Sequence, residues 1–199
     1  MSNFALKPDL KYTYDDYKTW SDDERWELID GEVYNMSPAP RRIHQIVLGN
    51  LFFLIKGYLK GKNCEVYGAP IDVRLPLTKD NSDIKIDTVV QPDIVVVCDQ
   101  SKLDDAGCIG APDLVIEIIS ESTANKDLKI KFNLYEKVGV KEYWIVFPDE
   151  KIIQIYKLVN NEYGKPEVYD LDDKVTVGLF TDLVIDLKEV FSYGGIFCL

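Results

Sequence analysis

The chain has one histidine, His44, among 199 residues, and its four cysteines are scattered without a C-x-x-C pair. This scarcity argues against a structural zinc site and against a disulfide framework. No apolar run approaches the roughly 20 residues that a membrane span needs. The first residues, MSNFALKPDLKYTYDD, contain no apolar segment typical of a signal peptide. We therefore expect a reduced, cytoplasmic protein that has no membrane partner.

Basic residues are in the minority, because 23 Lys and Arg stand against 34 Asp and Glu and leave a net charge of −11. Such an acidic chain disfavours nonspecific nucleic-acid binding. The charge is uneven, however, since residues 41–62 hold five bases and no acid, and 121–141 hold five lysines and three acids. These stretches are either solvated helix faces or a surface that faces phosphates. The first interpretation is preferred unless a chemical centre lies nearby.

The first third of the chain carries local signals for helices and for one hairpin. They are Thr13 with Asp16, Ser21 with Glu24, the turn Asp30-Gly31, and the helical spacing of apolar residues in 43–59. The first two are helix-capping patterns, and Asp-Gly supplies the positive φ angles of a tight turn. We therefore expect short N-terminal helices, a β-hairpin and a longer helix.

The rest of the chain alternates strand and helix patterns. Strands are predicted at 65–75, 88–97, 113–119, 142–147 and 151–158, weaker strands at 167–171, 174–178 and 183–187, and a helix at 125–138 before Gly139. Because 113–119, the helix and 142–147 form a strand-helix-strand unit, a parallel crossover is expected. The fold class is therefore mixed α/β, with a central sheet flanked by helices and a β-rich C-terminal extension.

Two acids stand inside apolar strands. Glu117 lies in LVIEII, where a buried carboxylate costs several kcal/mol unless it is paired, protonated or metal-bound. Asp93 follows Pro92, which interrupts a strand ladder. Carboxylates from neighbouring strands would suit Mg²⁺ or Mn²⁺. For Glu117 the structural alternatives are a buried ion pair or a position at a sheet edge with one face exposed to solvent. For Asp93 the alternative is a residue in a β-bulge whose carboxylate accepts hydrogen bonds from backbone amides.

A lysine, another acid and the histidine are weaker candidates. Lys131 borders the helical stripe formed by Leu128, Phe132, Tyr135 and Val138, so its amine either neutralises the acids or extends to solvent. Glu27 and His44 carry little weight alone. Asp113 lies about 13 Å from Glu117 along an extended strand and is interpreted as a strand-start residue. No Gly-rich phosphate loop or G-x-S-x-G motif is present.

Five segments together resemble one family. They are RWELIDGEVY, SPAPRRIHQI, VVQPDIVVV, APDLVIEIISEST and DLKIKFNLYEKVGVKEYWIV. In this order they resemble the Uma-two family of restriction endonuclease-like proteins, a branch of the PD-(D/E)XK nuclease superfamily. The resemblance covers about residues 12–158, which would form the core of a single domain 1–199, with 159–199 as the extension.

The resemblance implies a restriction-endonuclease-like fold and Mg²⁺-dependent hydrolysis of DNA. Asp93 matches the PD aspartate, Glu117 the acid of (D/E)XK, and Glu27 an N-terminal acid often found near such centres. Ile119 stands where the motif has its lysine, and Lys131 matches a lysine displaced to the following helix. Asp93 and Glu117 are then the metal ligands, and all four residues belong to the catalytic centre. His44 lies where the family tends to have histidine.

Two rival functions remain at this point. One is a catalytically inactive module of the same fold with a binding or regulatory role, which the net charge favours. The other is a phosphate-ester hydrolase that acts on small nucleotides. Double-strand cleavage with one site per chain would suggest a homodimer, although the sequence contains no recognisable signal of a dimer interface.

Overall fold

The computed structural model describes residues 10–20, 25–36, 39–76, 86–120 and 126–193. Four α-helices lie in these ranges: α1 (Tyr14–Tyr17), α2 (Arg42–Leu59), α3 (Phe132–Val138) and α4 (Leu187–Val190). The strands are β1 (Trp26–Ile29), β2 (Glu32–Asn35), β3 (Glu65–Gly68), β4 (Val73–Arg74), β5 (Val89–Val90), β6 (Ile94–Val97), β7 (Leu103–Asp104), β8 (Gly107–Ile109), β9 (Leu114–Ile118), β10 (Glu142–Phe147), β11 (Ile152–Val159), β12 (Glu162–Tyr163), β13 (Glu167–Tyr169), β14 (Lys174–Thr176) and β15 (Val184–Asp186). The mixed α/β class is confirmed.

The strands form three sheets. One has the order β2-β1-β5-β4-β8-β7, and β14 pairs with β15 alone. The central sheet has the order β12-β11-β10-β9-β6-β3, with β13 also paired to β11. Within it β9 and β10 are parallel, as the predicted crossover requires, while β10 and β11 are antiparallel. The other pairings along β9 and β6 are antiparallel, so the sheet is mixed.

The two faces of the central sheet bury different helices. Ile116 and Trp144 share a core with Val47 and Leu51 of α2, together with Val175 and other C-terminal residues. Val115 and Tyr143 share a second core with Leu134 and Tyr135 of α3. Successive residues of β9 therefore enter opposite cores, as the pleat of a strand requires. The division into a core at 12–158 and an extension at 159–199 stays a prediction.

Several local predictions are confirmed. Thr13 and Asp16 form the capping box of α1, and Asp30 and Gly31 take positive φ values of 49° and 76° between β1 and β2. Gly139 ends α3 in the left-handed conformation, with φ 88°. The capping pair Ser21 and Glu24 lies outside the described residues.

Two segments that were predicted to be single strands each form two strands, so these two predictions are wrong. The segments 65–75 and 88–97 each divide into two strands that belong to different sheets, β3 with β4 and β5 with β6. Pro70 interrupts the first segment, and Pro92 interrupts the second. Proline offers no amide hydrogen to a ladder, so the chain leaves one sheet there and enters another.

Two further expectations are corrected. The helix predicted at 125–138 begins with a π-helical turn, Lys126–Lys131, and Leu128 in the predicted buried stripe is 39% exposed. Cys64 and Cys98 form a disulfide, although their spacing in the sequence gave no sign of one. They follow the register that pairs Glu65 with Val97, so antiparallel pairing of β3 and β6 places them opposite each other.

Candidate active site

Glu117 is buried in the second core of the central sheet, where α3 covers β9. Its side chain is 4% exposed, and its Oε1 accepts hydrogen bonds from Lys131 Nζ and from the Tyr135 hydroxyl, each at 2.8 Å. Lys131 and Tyr135 are four residues apart at the start of α3, so they project from one face of the helix. The helix therefore delivers both donors to the same carboxylate oxygen.

Glu27 reaches the same lysine from the N-terminal hairpin. Its Oε1 lies 2.9 Å from Lys131 Nζ, and this oxygen also accepts the backbone N–H of Gln91 at 2.9 Å. The Glu27 side chain is fully buried and that of Lys131 is 3% exposed. The alternative in which this lysine extends to solvent is therefore wrong. An ammonium buried between two carboxylates is the arrangement that makes burial of all three charges tolerable.

Asp93 lies immediately before β6, where the chain bends after Pro92. Ile94 pairs with Ile116, so the antiparallel register places Asp93 opposite Glu117. Its Oδ2 accepts the backbone N–H of Ile118 at 2.7 Å and lies 3.2 Å from His44 Nε2. The Asp93 side chain is 19% exposed, which makes it more accessible than either glutamate.

The structure thus brings the candidate residues together in two linked groups. Glu27, Lys131 and Glu117 form one group on the α3 side, and Asp93 with His44 of α2 forms the other. Ile118, which follows Glu117, connects them through its amide. Within the described ranges, no three His, Cys, Asp or Glu side chains gather closely enough to hold a metal ion.

The structural alternatives considered for the two strand acids are both present. Glu117 is in a buried ion pair, and Asp93 satisfies a backbone donor beside a bend. Asp113 proves to be a strand-start residue, since its carboxylate accepts the N–H of Cys98 and pairs with Lys141. These contacts explain how the acids are tolerated, and they leave the chemical role of Asp93 and Glu117 a prediction.

Sequence reasoning missed two residues that contact the site. Tyr135 was assigned only to the apolar stripe, yet its hydroxyl binds Glu117, and burial raises its pKa well above the usual range, with the charge of Glu117 adding to the effect. Gln91 binds Glu27 through its backbone, while its side chain bonds Arg25, Tyr17 and Asp72. The spacing of four from Lys131 to Tyr135 was the available signal for the first.

A cleft of about 400 Å³ adjoins the site on the side of Gln91. Tyr67, Pro70 and Leu103 contribute apolar surface, and three aspartates also line it, Asp72, Asp104 and Asp105. Asp104 pairs with the buried Arg74, and Asp72 accepts from Tyr17 and Gln91. The three carboxylates outnumber the one guanidinium, so the cleft is acidic and a phosphate group would be repelled there.

The two basic stretches are partly neutralised by acids from elsewhere in the fold. Arg41 pairs with Asp149, Lys62 with Asp182, and Lys141 with Asp113. Arg42 and Lys56 are exposed on α2, whose first turn also carries His44. The start of the stretch 41–62 thus lies next to Asp93, one of the candidate acids, and a nearby chemical centre was the condition for the phosphate-facing interpretation. None of the helices in the described part of the chain has the length and apolar content of a membrane span.

Comparisons with known proteins agree with this fold. A crystal structure described as a putative nuclease belonging to DUF820, from Anabaena variabilis, superposes with a TM-score of 0.70 at 22% identity, over 90% of this chain and 97% of that one. An uncharacterized protein of Synechocystis sp. is 29% identical over 157 residues, 75% of each chain. The sequence model of the Uma2 family, described as "Putative restriction endonuclease", matches residues 14–188. The chain therefore belongs to the Uma2 family of restriction endonuclease-like proteins.

Proposed function

We propose that this protein is a Mg²⁺-dependent endonuclease that hydrolyses phosphodiester bonds of DNA. The observation that carries the proposal is that Glu27 and Glu117 share the buried Lys131, while Asp93 lies opposite Glu117 in the β6–β9 register and accepts the amide of Ile118. Membership of a family described as putative restriction endonucleases supports a nucleic-acid substrate.

Carboxylate oxygens are the type of donor that a hard divalent cation prefers. Mg²⁺ prefers oxygen ligands and is usually held by one or two carboxylates while it keeps several waters. Asp93 and Glu117, opposite each other in the register, would be those two ligands, with Glu27 as an outer one. Manganese, which accepts the same ligands, would substitute. A bound ion supplies a water of lowered pKa and charge stabilisation at a phosphate oxygen.

The chain's own residues would then orient the reactants. Lys131 holds Glu27 and Glu117 by its ammonium, and this positive charge would stabilise the negative phosphate or orient the attacking water. Residues 41–62 would contact backbone phosphates through exposed bases such as Arg42 and Lys56. Such contacts position a duplex and carry no sequence information.

The direct test is nicking of a supercoiled plasmid in the presence of Mg²⁺ or Mn²⁺. The wild type should nick it, and Asp93→Asn and Glu117→Gln should abolish the activity while circular dichroism shows an intact fold. Asp113→Asn is the matched control, because it changes a buried aspartate of the same sheet outside the site. Plasmid cleavage by both site variants at the rate of the wild type would refute the assignment. Cleavage of a small phosphodiester but not of the plasmid would indicate a nucleotide hydrolase.

A second candidate function is a binding or regulatory module of the same fold. The observation that favours it is the ion pairing of Lys131 with both glutamates, which neutralises part of their charge without a metal. Calorimetric titration with Mn²⁺ separates the two candidates. Binding that is lost in Glu117→Gln favours the nuclease, and a wild type that gives no heat favours the module.

A further inference from the structure

Tyr135 is a fully buried tyrosine whose hydroxyl is directed at an acid of the proposed centre. The hydroxyl donates to Glu117 Oε1 at 2.8 Å, and Lys131 Nζ donates to the same oxygen at the same distance. Rotation of the carboxylate about its terminal bond would break both hydrogen bonds. Two donors on one oxygen therefore hold the carboxylate group in one orientation.

Packing alone does not account for a tyrosine at this position. Its ring meets that of Tyr143 edge-on, with the centroids 5.0 Å apart, in the second core. A phenylalanine would supply the same apolar surface, whereas a buried hydroxyl costs free energy unless it is hydrogen-bonded. This hydroxyl donates its hydrogen bond to Glu117, so it acts on that carboxylate.

The phenol is a dependable donor at neutral pH. Burial raises the pKa of Tyr135 well above that of a free tyrosine, and the charges of Glu117 and other nearby groups modify this shift. An ordinary tyrosine already keeps its proton at neutral pH, so the hydroxyl is available as a donor to Glu117. Groups that hold a metal-binding residue in place commonly change metal affinity by about 10- to 100-fold when they are removed.

We propose that Tyr135 is a positioning residue, which with Lys131 fixes the orientation of the Glu117 carboxylate for divalent-cation binding. This inference rests on the proposed function, because it requires Glu117 to bind the cation. Tyr135 does not itself contact the ion or the substrate in this role. Its loss should weaken cation binding and leave the packing of α3 on β9 and β10 intact.

The chain offers a close control in Tyr163. This tyrosine is also buried and belongs to the same aromatic cluster, with its ring centroid 6.2 Å from that of Tyr143. Its hydroxyl, however, donates to the backbone carbonyl of Val140 at 2.8 Å, outside the proposed centre. Tyr135→Phe and Tyr163→Phe each remove one phenolic oxygen and one buried hydrogen bond, and only the hydrogen bond lost in the first is made to Glu117.

The experiment is calorimetric titration of the full chain with Mn²⁺ in wild type, Tyr135→Phe, Tyr163→Phe and Glu117→Gln. Affinity should fall by about 10-fold or more in Tyr135→Phe, remain within about twofold in Tyr163→Phe, and vanish in Glu117→Gln. Equal affinity in the two tyrosine variants overturns the positioning role and leaves the proposed function standing. A wild type that binds no Mn²⁺ overturns both.

A second measurement guards against a general loss of stability. The melting temperature of each variant is recorded with and without saturating Mn²⁺, and the difference is taken within each variant, so that any unrelated destabilisation cancels. At one fixed Mn²⁺ concentration, binding to the folded state stabilises it by an amount that grows with the logarithm of the affinity, so a weaker site gives a smaller rise in melting temperature. The rise should shrink in Tyr135→Phe and persist in Tyr163→Phe, and an undiminished rise in Tyr135→Phe counts against the proposal.

Discussion

His44 and Asp93, which are 49 residues apart in the sequence, meet with Nε2 of the histidine 3.2 Å from Oδ2 of the aspartate. The His44 side chain is 10% exposed, and it enters the site from the first turn of α2. The helix that carries the basic stretch 41–62 is thereby anchored to the most accessible of the candidate acids. We expect this contact to hold Asp93 in place.

Replacement of His44 by alanine should weaken Mn²⁺ binding and plasmid nicking by about 10-fold, because a group that orients a ligand is lost. Calorimetry and the nicking assay measure the two effects. Gln45→Ala is the control, since Gln45 is exposed on the same turn of α2. Indistinguishable behaviour of the two variants would remove His44 from the site.

Lys131→Met should destabilise the protein by about 3–5 kcal/mol, because Glu27 and Glu117 would lose the cation that they share in a buried place. It should also abolish Mg²⁺-dependent cleavage. Urea unfolding measures the stability, and the same change at the exposed Lys129 is the control. Full retained activity in Lys131→Met would reject the catalytic assignment of this lysine.

Removal of exposed charge from α2 should weaken DNA binding uniformly across sequences. Arg42→Ala and Lys56→Ala are each expected to reduce the slope of log affinity against log salt by about one unit. Fluorescence anisotropy at several salt concentrations, with two unrelated duplexes, measures this slope. Lys174→Ala, on β14, is the control, and an equal effect there would show that α2 is not the phosphate-facing surface.

Cys108 should be unreactive at pH 8. Burial raises the pKa of its thiol to about 11, so the reactive thiolate is scarce at that pH. Peptide mapping after iodoacetamide treatment should find Cys108 unmodified in the folded protein and modified in urea. Rapid modification without denaturant would contradict the burial of this side chain.

The same shift predicts a dependence of stability on pH. Because the folded state raises the pKa of Cys108, its contribution to the free energy of unfolding is present below the unfolded pKa of about 8.5 and is lost as pH rises towards about 11. Urea unfolding at pH 7.5, 9 and 10.5 should show a smaller decline in Cys108→Ala than in wild type. Parallel declines would argue against this linkage.

Much of the architecture follows from patterns within short segments. The hairpin at Asp30-Gly31, helix α2 and the parallel pair β9 and β10 were predicted because turn chemistry and hydrophobic period act over a few residues. The divided strands around Pro70 and Pro92 were missed in part. Proline marks an interruption, but the sheet in which each half finds its partner depends on distant strands.

The candidate acids were recognisable for a similar reason. A charged residue such as Glu117 is unusual inside an apolar strand, and this can be recognised from the sequence alone. The partners of such a charge are not visible in the same way. Glu27 and Glu117 are 90 residues apart, and only the tertiary fold brings both to Lys131.

Local order along the chain was thus sufficient to predict the class of fold, the family resemblance and the unusual acids. The shared lysine, the Tyr135 hydroxyl on Glu117, the His44 contact to Asp93 and the Cys64–Cys98 disulfide all depended on three-dimensional packing. The physical reason is that backbone preferences act between neighbours in sequence. Hydrogen bonds and ion pairs between side chains instead require atoms from distant segments to lie about 3 Å apart, and the assembled core sets that distance.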